Sequence, residues 1–82
     1  MSAGFQETLR LPHGLALFAR VGPGRDYRLG LYRGGTPLVE FWSEGAVHRR
    51  RAGDRVSGYE FRSIEQLRYD FERDAKDALD RN

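Results

Sequence analysis

The chain of 82 residues contains no cysteine, one lysine and two histidines. Without cysteine, neither a disulfide nor a thiolate metal site can form. His13 and His48 each lack a second histidine or a carboxylate at a metal-ligand spacing. No serine–histidine–acid grouping can be read from the order of the residues either. We therefore predict that the protein is not an enzyme and that it has no catalytic, cofactor-binding or metal-binding residues.

The sequence also lacks a long apolar run. No stretch approaches the ~20 residues that a membrane-spanning helix needs, and the N-terminus lacks the basic-then-apolar order of a signal peptide. We expect a soluble, cytoplasmic protein that does not contact a membrane. Because 82 residues are near the lower size for a self-sufficient core, we expect one domain over residues 1–82, and a homodimer would extend its small core.

Positive charge is concentrated ahead of the C-terminal segment. Residues 1–62 carry ten arginines against six acids, whereas residues 63–82 carry four basic residues against six acids. The densest positive segment is expected to form a β-hairpin. There it can bind the phosphates of a nucleic acid, or it can remain solvated and discourage pairing at a sheet edge. This basic cluster consists of His48, Arg49, Arg50, Arg51 and Arg55.

Apolar residues alternate with a period of two, which predicts a sheet over residues 6–62. Gly34-Gly35 is typical of a two-residue hairpin turn, and Gly22-Pro23-Gly24 should end a strand. We therefore expect an antiparallel meander of four to six strands. The predicted strands cover residues 6–11, 15–21, 27–32, 36–43, 46–51 and 55–62.

A single amphipathic helix is predicted over residues 63–80. Ser63 can cap this helix, with Gln66 completing a capping box. Apolar residues then recur at intervals of three and four, which places them on one side of the helix. The helix should pack on one face of the sheet and complete an α+β fold. We expect it to bury Ile64, Leu67, Phe71 and Ala75 and to leave Asp70, Asp74, Asp77 and Asp80 solvated.

The second face of the sheet has no helix to cover it. Aromatic and arginine side chains on such a face can stack on bases and hold phosphates, or they can anchor a protein interface. Alternatively, the sheet closes into a small barrel that these side chains fill. The alternation assigns Phe18, Arg20, Arg28, Tyr32, Glu40 and Trp42 to this face, and all of them except Glu40 are the predicted partner-binding residues.

The junction between sheet and helix reads F-R-S-I-E-Q-L-R-Y-D-F at residues 61–71. Its F-x-S-x-E-Q-L-x-x-x-F pattern resembles the matching junction of a family of small phage-encoded anti-CRISPR proteins. The resemblance implies an antiparallel meander followed by a helical part, binding to the backbone subunits of a type I-F surveillance complex, and no enzymatic activity. The binding residues of that family lie on its sheet, where no motif of this chain matches them.

Two hypotheses follow from the uncovered face, the basic cluster and the resemblance. The first is a protein-binding inhibitor, encoded by a phage or mobile element, that blocks a CRISPR–Cas effector complex in the cytoplasm of a bacterial host. Its partner would be a protein subunit of that complex. The second is a small nucleic-acid-binding or regulatory protein that uses the basic cluster. Binding of generic nucleic acid that weakens steeply with salt would favour the second hypothesis.

Overall fold

The structure, a computed structural model, describes residues 5–23 and 26–81. These residues form a single antiparallel sheet, in which strands follow the order of the sequence, and one helix. The predicted α+β meander with a C-terminal helix is therefore confirmed. The elements are β1 (Phe5–Arg10), β2 (Leu15–Val21), β3 (Tyr27–Arg33), β4 (Thr36–Glu44), β5 (Val47–Ala52), β6 (Arg55–Gly58) and α1 (Ile64–Asp80).

Two of the turns were predicted from glycine. Gly34 and Gly35 have φ angles of 57° and 83° and join β3 to β4 as a two-residue turn. Residues with a Cβ rarely adopt these angles, which explains why glycine occupies both positions. The turn predicted at Gly22-Pro23-Gly24 is only partly visible, because Gly24 lies outside the described residues.

The last strand ends before its predicted boundary. β6 stops at Gly58, and the aromatic residues that follow it make contacts on the helix side. The Tyr59 hydroxyl donates a hydrogen bond to Asp70 Oδ2 at 2.6 Å. Phe61 stacks on His48 with ring centroids 5.1 Å apart. The chain therefore leaves the sheet at this point and crosses to the start of α1.

The sheet is open rather than closed. β1 and β6 lie at opposite edges of the strand order, and they do not pair within the described ranges. The barrel alternative is therefore wrong. Since α1 covers only one face and packs mainly against β4, no helix or strand from residues 5–23 and 26–81 covers the opposite face of the sheet.

The core lies between α1 and one face of the central strands. Burying an aliphatic or aromatic side chain there contributes about 1.5–3 kcal/mol. Phe71 and Ala75 are partly buried against this core, as expected for one side of the helix. Ile64 differs from expectation and remains 36% exposed, since it faces the half of the sheet that α1 does not cover. The fully buried side chains are Tyr27, Phe41, Leu31, Leu67 and Val39.

The N-terminus of α1 has only half of the predicted capping box. Ser63 Oγ accepts a hydrogen bond from the backbone N–H of Gln66 at 3.1 Å, as an N-cap should. The Gln66 side chain does not complete the box, because it donates to Asp70 Oδ1 at 2.9 Å instead. In the described part of the chain, no helix combines the length and the apolar character needed to cross a membrane.

Two acids that were expected on the solvated side of α1 are buried. Asp70 and Asp74 are only 9% and 8% exposed. Asp70 accepts from Tyr59, and Asp74 forms an ion pair with Arg50 of β5. The expectation of solvated side chains was wrong for these two residues, because the polar residues of β5 and the connection after β6 reach α1 from the sheet side. Buried carboxylates persist when such partners are present.

Candidate functional site

The face of the sheet opposite α1 contains a row of basic side chains. Four residues on neighbouring strands lie side by side. Arg20 on β2 pairs with Arg28 on β3, and Arg28 also pairs with Trp42 on β4. Trp42 in turn pairs with Arg49 on β5. We call these four residues, three arginines and one tryptophan, the basic row. Adjacent strands lie about 4.8 Å apart, so the row extends about 14 Å across the sheet.

The whole face has an excess of positive charge. Side chains two residues apart on a strand point to the same side, so the strand register assigns each charged residue to a face. Five arginines oppose two glutamates among the strand residues of this face. They are Arg10, Arg20, Arg28, Arg49 and Arg51 against Glu40 and Glu44.

Glu40 lies at the centre of the face and is only 8% exposed. Its Oε2 accepts hydrogen bonds from the Tyr32 hydroxyl at 2.6 Å and from Arg28 Nη1 at 3.2 Å. Arg51 Nε lies 3.2 Å from Oε1, as an ion pair without hydrogen-bond alignment. A buried carboxylate needs such partners to offset its lost hydration. Glu40 therefore holds three side chains of the face in fixed positions.

A glycine allows this arrangement. A Cβ at Gly30 would lie 2.5 Å from Cε1 and 2.6 Å from the hydroxyl oxygen of Tyr32, so the Tyr32 ring lies directly over the glycine backbone. The register between β3 and β4 also shifts between Leu31 and Tyr32, and such a bulge redirects side chains. A glycine in the interior of a strand pattern is a known sign of close approach, and it was the one sequence signal for this contact.

Burial perturbs the hydroxyl of Tyr32. Desolvation, followed by the hydrogen bond from this hydroxyl to Glu40, raises the pKa of Tyr32 to about 12. Both effects oppose ionisation, because a phenolate here would lose hydration and face a carboxylate. Tyr32 therefore remains a hydrogen-bond donor at neutral pH, and it is a positioning group rather than an acid or base at physiological pH.

Trp42 is less accessible than the alternation suggested. The residue is 9% exposed, and the Arg28 guanidinium carbon lies 5.4 Å from the centre of its ring. Its indole N–H donates to Glu44 Oε1 at 2.8 Å. Since the ring is covered by a cation and anchored at its nitrogen, it presents little free surface to a partner. Its main contribution is to support Arg28.

Arginine side chains at both ends of the basic row are exposed. The Arg20 side chain is 39% exposed and forms an ion pair with Asp26 at 3.2 Å. The Arg49 side chain is 46% exposed, and its Nε lies 3.9 Å from Glu44. Phe18, one position along β2 on the same face, is half-buried. A partner can reach these side chains and that of Arg28, which is also 39% exposed.

The basic cluster does not form one surface. Alternation along β5 places Arg49 and Arg51 on the face of Glu40, and it places His48 and Arg50 on the side of α1. His48 Nδ1 lies 2.9 Å from the Tyr27 hydroxyl. Arg50 pairs with Asp74 and lies over the Phe41 ring. Arg55 begins β6 opposite Ala52 and is exposed. The cluster is therefore divided between a structural role and the basic face.

Comparisons with protein-family models, curated proteins and solved structures find no match to this chain. The resemblance of residues 61–71 to an anti-CRISPR junction therefore remains a prediction. Among the described residues, no group of three or more histidine and acidic side chains is placed to hold a metal ion. The arrangement on the uncovered face is suited to electrostatic recognition, because its charges are fixed in position before a partner arrives.

Proposed function

We propose that this chain is a non-enzymatic protein-binding module whose basic row contacts an acidic surface of its partner. The observation that carries the proposal is the direct cross-strand pairing of Arg20 with Arg28. Like charges at directly opposed positions destabilise a sheet. Asp26 and Glu40 each form an ion pair with one of these arginines, and both arginine side chains remain 39% exposed. Carboxylates of a partner would relieve the remaining repulsion.

The same geometry favours a protein over a nucleic acid. Recognition of single strands relies on aromatic rings that are free to stack on bases. Tyr32 is held against Gly30 and bonded to Glu40, and Trp42 is covered by Arg28. Arginine with supporting aromatic residues is, in contrast, a common composition of protein interfaces.

The more specific form of the proposal rests on the resemblance of residues 61–71 to an anti-CRISPR junction. In this form, the protein is encoded by a phage or mobile element and acts in the cytoplasm of a bacterial host. It binds a subunit of a CRISPR–Cas effector complex and prevents that complex from pairing with target DNA. The basic row would occupy an acidic part of the subunit.

The test is inhibition of target-DNA binding by a purified type I-F surveillance complex. Labelled double-stranded target is titrated with the complex in the presence of the wild-type protein or of the variants Arg20→Glu and Arg49→Glu. Charge reversal at either end of the basic row should weaken inhibition about tenfold or more, mainly by slowing association. Arg62→Glu is the matched control, because Arg62 is exposed, lies in the connection before α1 and forms its ion pair with Glu60 of the same connection.

Three results would contradict parts of this proposal. Absence of inhibition by the wild-type protein would exclude the action on a type I-F complex that the resemblance implies. Equal losses for Arg62→Glu and Arg49→Glu would show a general charge effect rather than a defined surface. Micromolar binding to generic single- or double-stranded nucleic acid, with a steep decline in salt, would replace the proposal with the nucleic-acid hypothesis.

A further inference from the structure

An apolar groove of about 720 Å³ opens on the helix side of the sheet, opposite the face that contains the basic row. Its floor is formed by β1–β3, and one wall is formed by α1. The groove exists because α1 packs mainly against β4 and leaves β1 and β2 uncovered. Leu9 is 51% exposed on the floor, and Ile64 and Leu79 are 36% and 37% exposed on the wall. A patch of this kind commonly marks an interaction site.

The helix wall of the groove consists of two parallel rows, or ridges, of side chains. Within each ridge, consecutive members are four residues apart in the sequence. Phe71, Ala75 and Leu79 form the apolar ridge. The charged ridge lies beside it and alternates in sign along the helix. Ridges of this spacing interdigitate in the commonest class of helix–helix packing. The charged ridge is Arg68, Glu72, Lys76 and Asp80, all of which line the groove.

We propose that a second copy of this chain closes the groove, with the two α1 helices antiparallel about a two-fold axis. An antiparallel pair centred at residue 74 places Arg68 opposite Asp80 of the partner subunit and Glu72 opposite Lys76 of the partner subunit. The two-fold axis repeats both contacts, as an isologous interface requires. Every position of the charged ridge therefore meets the opposite sign.

Contacts within the chain leave this charged ridge only partly satisfied. Arg68 and Glu72 form an ion pair at 3.9 Å, and both side chains remain about 70% exposed. Among the described residues, Lys76 and Asp80 have no ion-pair partner. A second copy supplies one to each of them. The apolar ridge is also self-complementary, because the same arrangement brings the large Phe71 near the small Ala75 of the partner subunit.

Other occupants fit the groove less well. An anionic lipid or other acidic ligand would need a net positive rim, but Arg68 and Lys76 are balanced by Glu72 and Asp80 at the same rim. An unrelated antiparallel helix would need the same alternating order of charges, positive first from its N-terminus, at the same spacing. The chain itself contains that order, and 82 residues form a small core that benefits from a second copy.

The test uses sedimentation equilibrium of the full chain and two charge reversals. The wild-type protein should associate to twice its 9.4 kDa mass. Glu72→Lys opposes two lysines in the homodimer, and Lys76→Glu opposes two glutamates. Each single variant should therefore dimerise about tenfold more weakly than the wild type, and the loss should diminish in high salt. When the two variants are mixed, lysine meets glutamate at both contacts, so the mixture should form a heterodimer of near wild-type affinity.

Asp77→Lys is the matched control, because it changes charge on the same helix at a position outside the groove, and it should leave dimerisation unchanged. Circular dichroism verifies that all variants remain folded. A wild-type protein that stays at 9.4 kDa up to about 1 mM would overturn the proposal, since that limit corresponds to an association weaker than −4.1 kcal/mol. Dimerisation that neither reversal weakens, or that mixing does not restore, would also overturn it.

Discussion

Substitution of Gly30 by alanine tests the central contact of the uncovered face. The added Cβ would lie 2.5 Å from Cε1 and 2.6 Å from the hydroxyl oxygen of Tyr32. Unbonded carbon atoms are in optimal contact at about 3.5–4.0 Å, so these distances are too short by about 1 Å. The ring must therefore swing away from the strand. That movement breaks the 2.6 Å hydrogen bond from the Tyr32 hydroxyl to Glu40.

The expected cost of Gly30→Ala can be worked from these two changes. Loss of a hydrogen bond to a charged acceptor lowers the free energy of unfolding by about 1.5–3 kcal/mol. A strand with alanine is more stable than one with glycine by about 0.5–1 kcal/mol, which offsets part of this loss. The net destabilisation should be about 1–2 kcal/mol. For a domain of this length, such a change lowers the melting temperature by about 4–16 °C.

The assay is a double-mutant cycle in urea with Gly30→Ala, Tyr32→Ala and the double variant. Without the Tyr32 ring, the new methyl group meets no clash, so Gly30→Ala should become neutral or slightly stabilising in that background. The coupling between the two positions should be about 1–3 kcal/mol. Equal costs in both backgrounds, or a wild-type melting temperature for Gly30→Ala alone, would refute the packing of Tyr32 over Gly30.

Three further predictions concern stability. Burial raises the pKa of Tyr27 and Tyr32 to about 12 from an ordinary value of 10.0. Above pH 10 the unfolded chain loses the tyrosine protons more readily than the folded protein does. The contribution of these two tyrosines to the free energy of unfolding is therefore complete below pH 10 and is lost as the pH rises toward about 12. Urea unfolding between these pH values should show the decline, and Tyr32→Phe should reduce its slope. Asp74→Ala should cost about 2 kcal/mol or more, less than the 3–5 kcal/mol of a fully buried pair because Arg50 is partly exposed. Asp77→Ala, at an exposed position, should stay within about 0.5 kcal/mol in the same melt. Trp42→Ala should destabilise by about 3 kcal/mol, given its 9% exposure. An unchanged melting temperature would instead restore the interpretation of Trp42 as a free interface residue.

Much of the fold could be predicted from local rules. Period-two alternation located the central strands, because each strand has one apolar and one polar side. Gly34-Gly35 located a turn since both positions need positive φ angles. Ser63 marked the helix start by its capping side chain. The end of β6 was missed because Tyr59 and Phe61 alternate as strand residues do, and their contacts with Asp70 and His48 cannot be read from the alternation.

The candidate site was harder to predict because its side chains interact over long sequence distances. Alternation placed Arg28, Tyr32 and Trp42 on the correct face, but it could not show that Glu40 would hold two of them. The same limit applies to Asp74, whose partner Arg50 lies 24 residues earlier. A run of basic residues in the sequence suggested one positive patch, yet a strand distributes consecutive residues over two faces.

That distribution also separates the two proposed surfaces. On β2 and β3, the even-numbered residues Arg20 and Arg28 belong to the basic row. The odd-numbered residues Leu17, Ala19, Leu29 and Leu31 line the floor of the apolar groove. A second copy seated on the groove would therefore leave both basic rows accessible. A dimer with two basic rows can bind a partner that has repeated acidic surfaces. After the first row binds, the second row is held near its own site at an increased effective concentration. Arg49→Glu should then weaken partner binding without changing the dimer, and Glu72→Lys should weaken the dimer without changing the intrinsic affinity of one basic row. Loss of both properties in either variant would show that the two faces do not act separately.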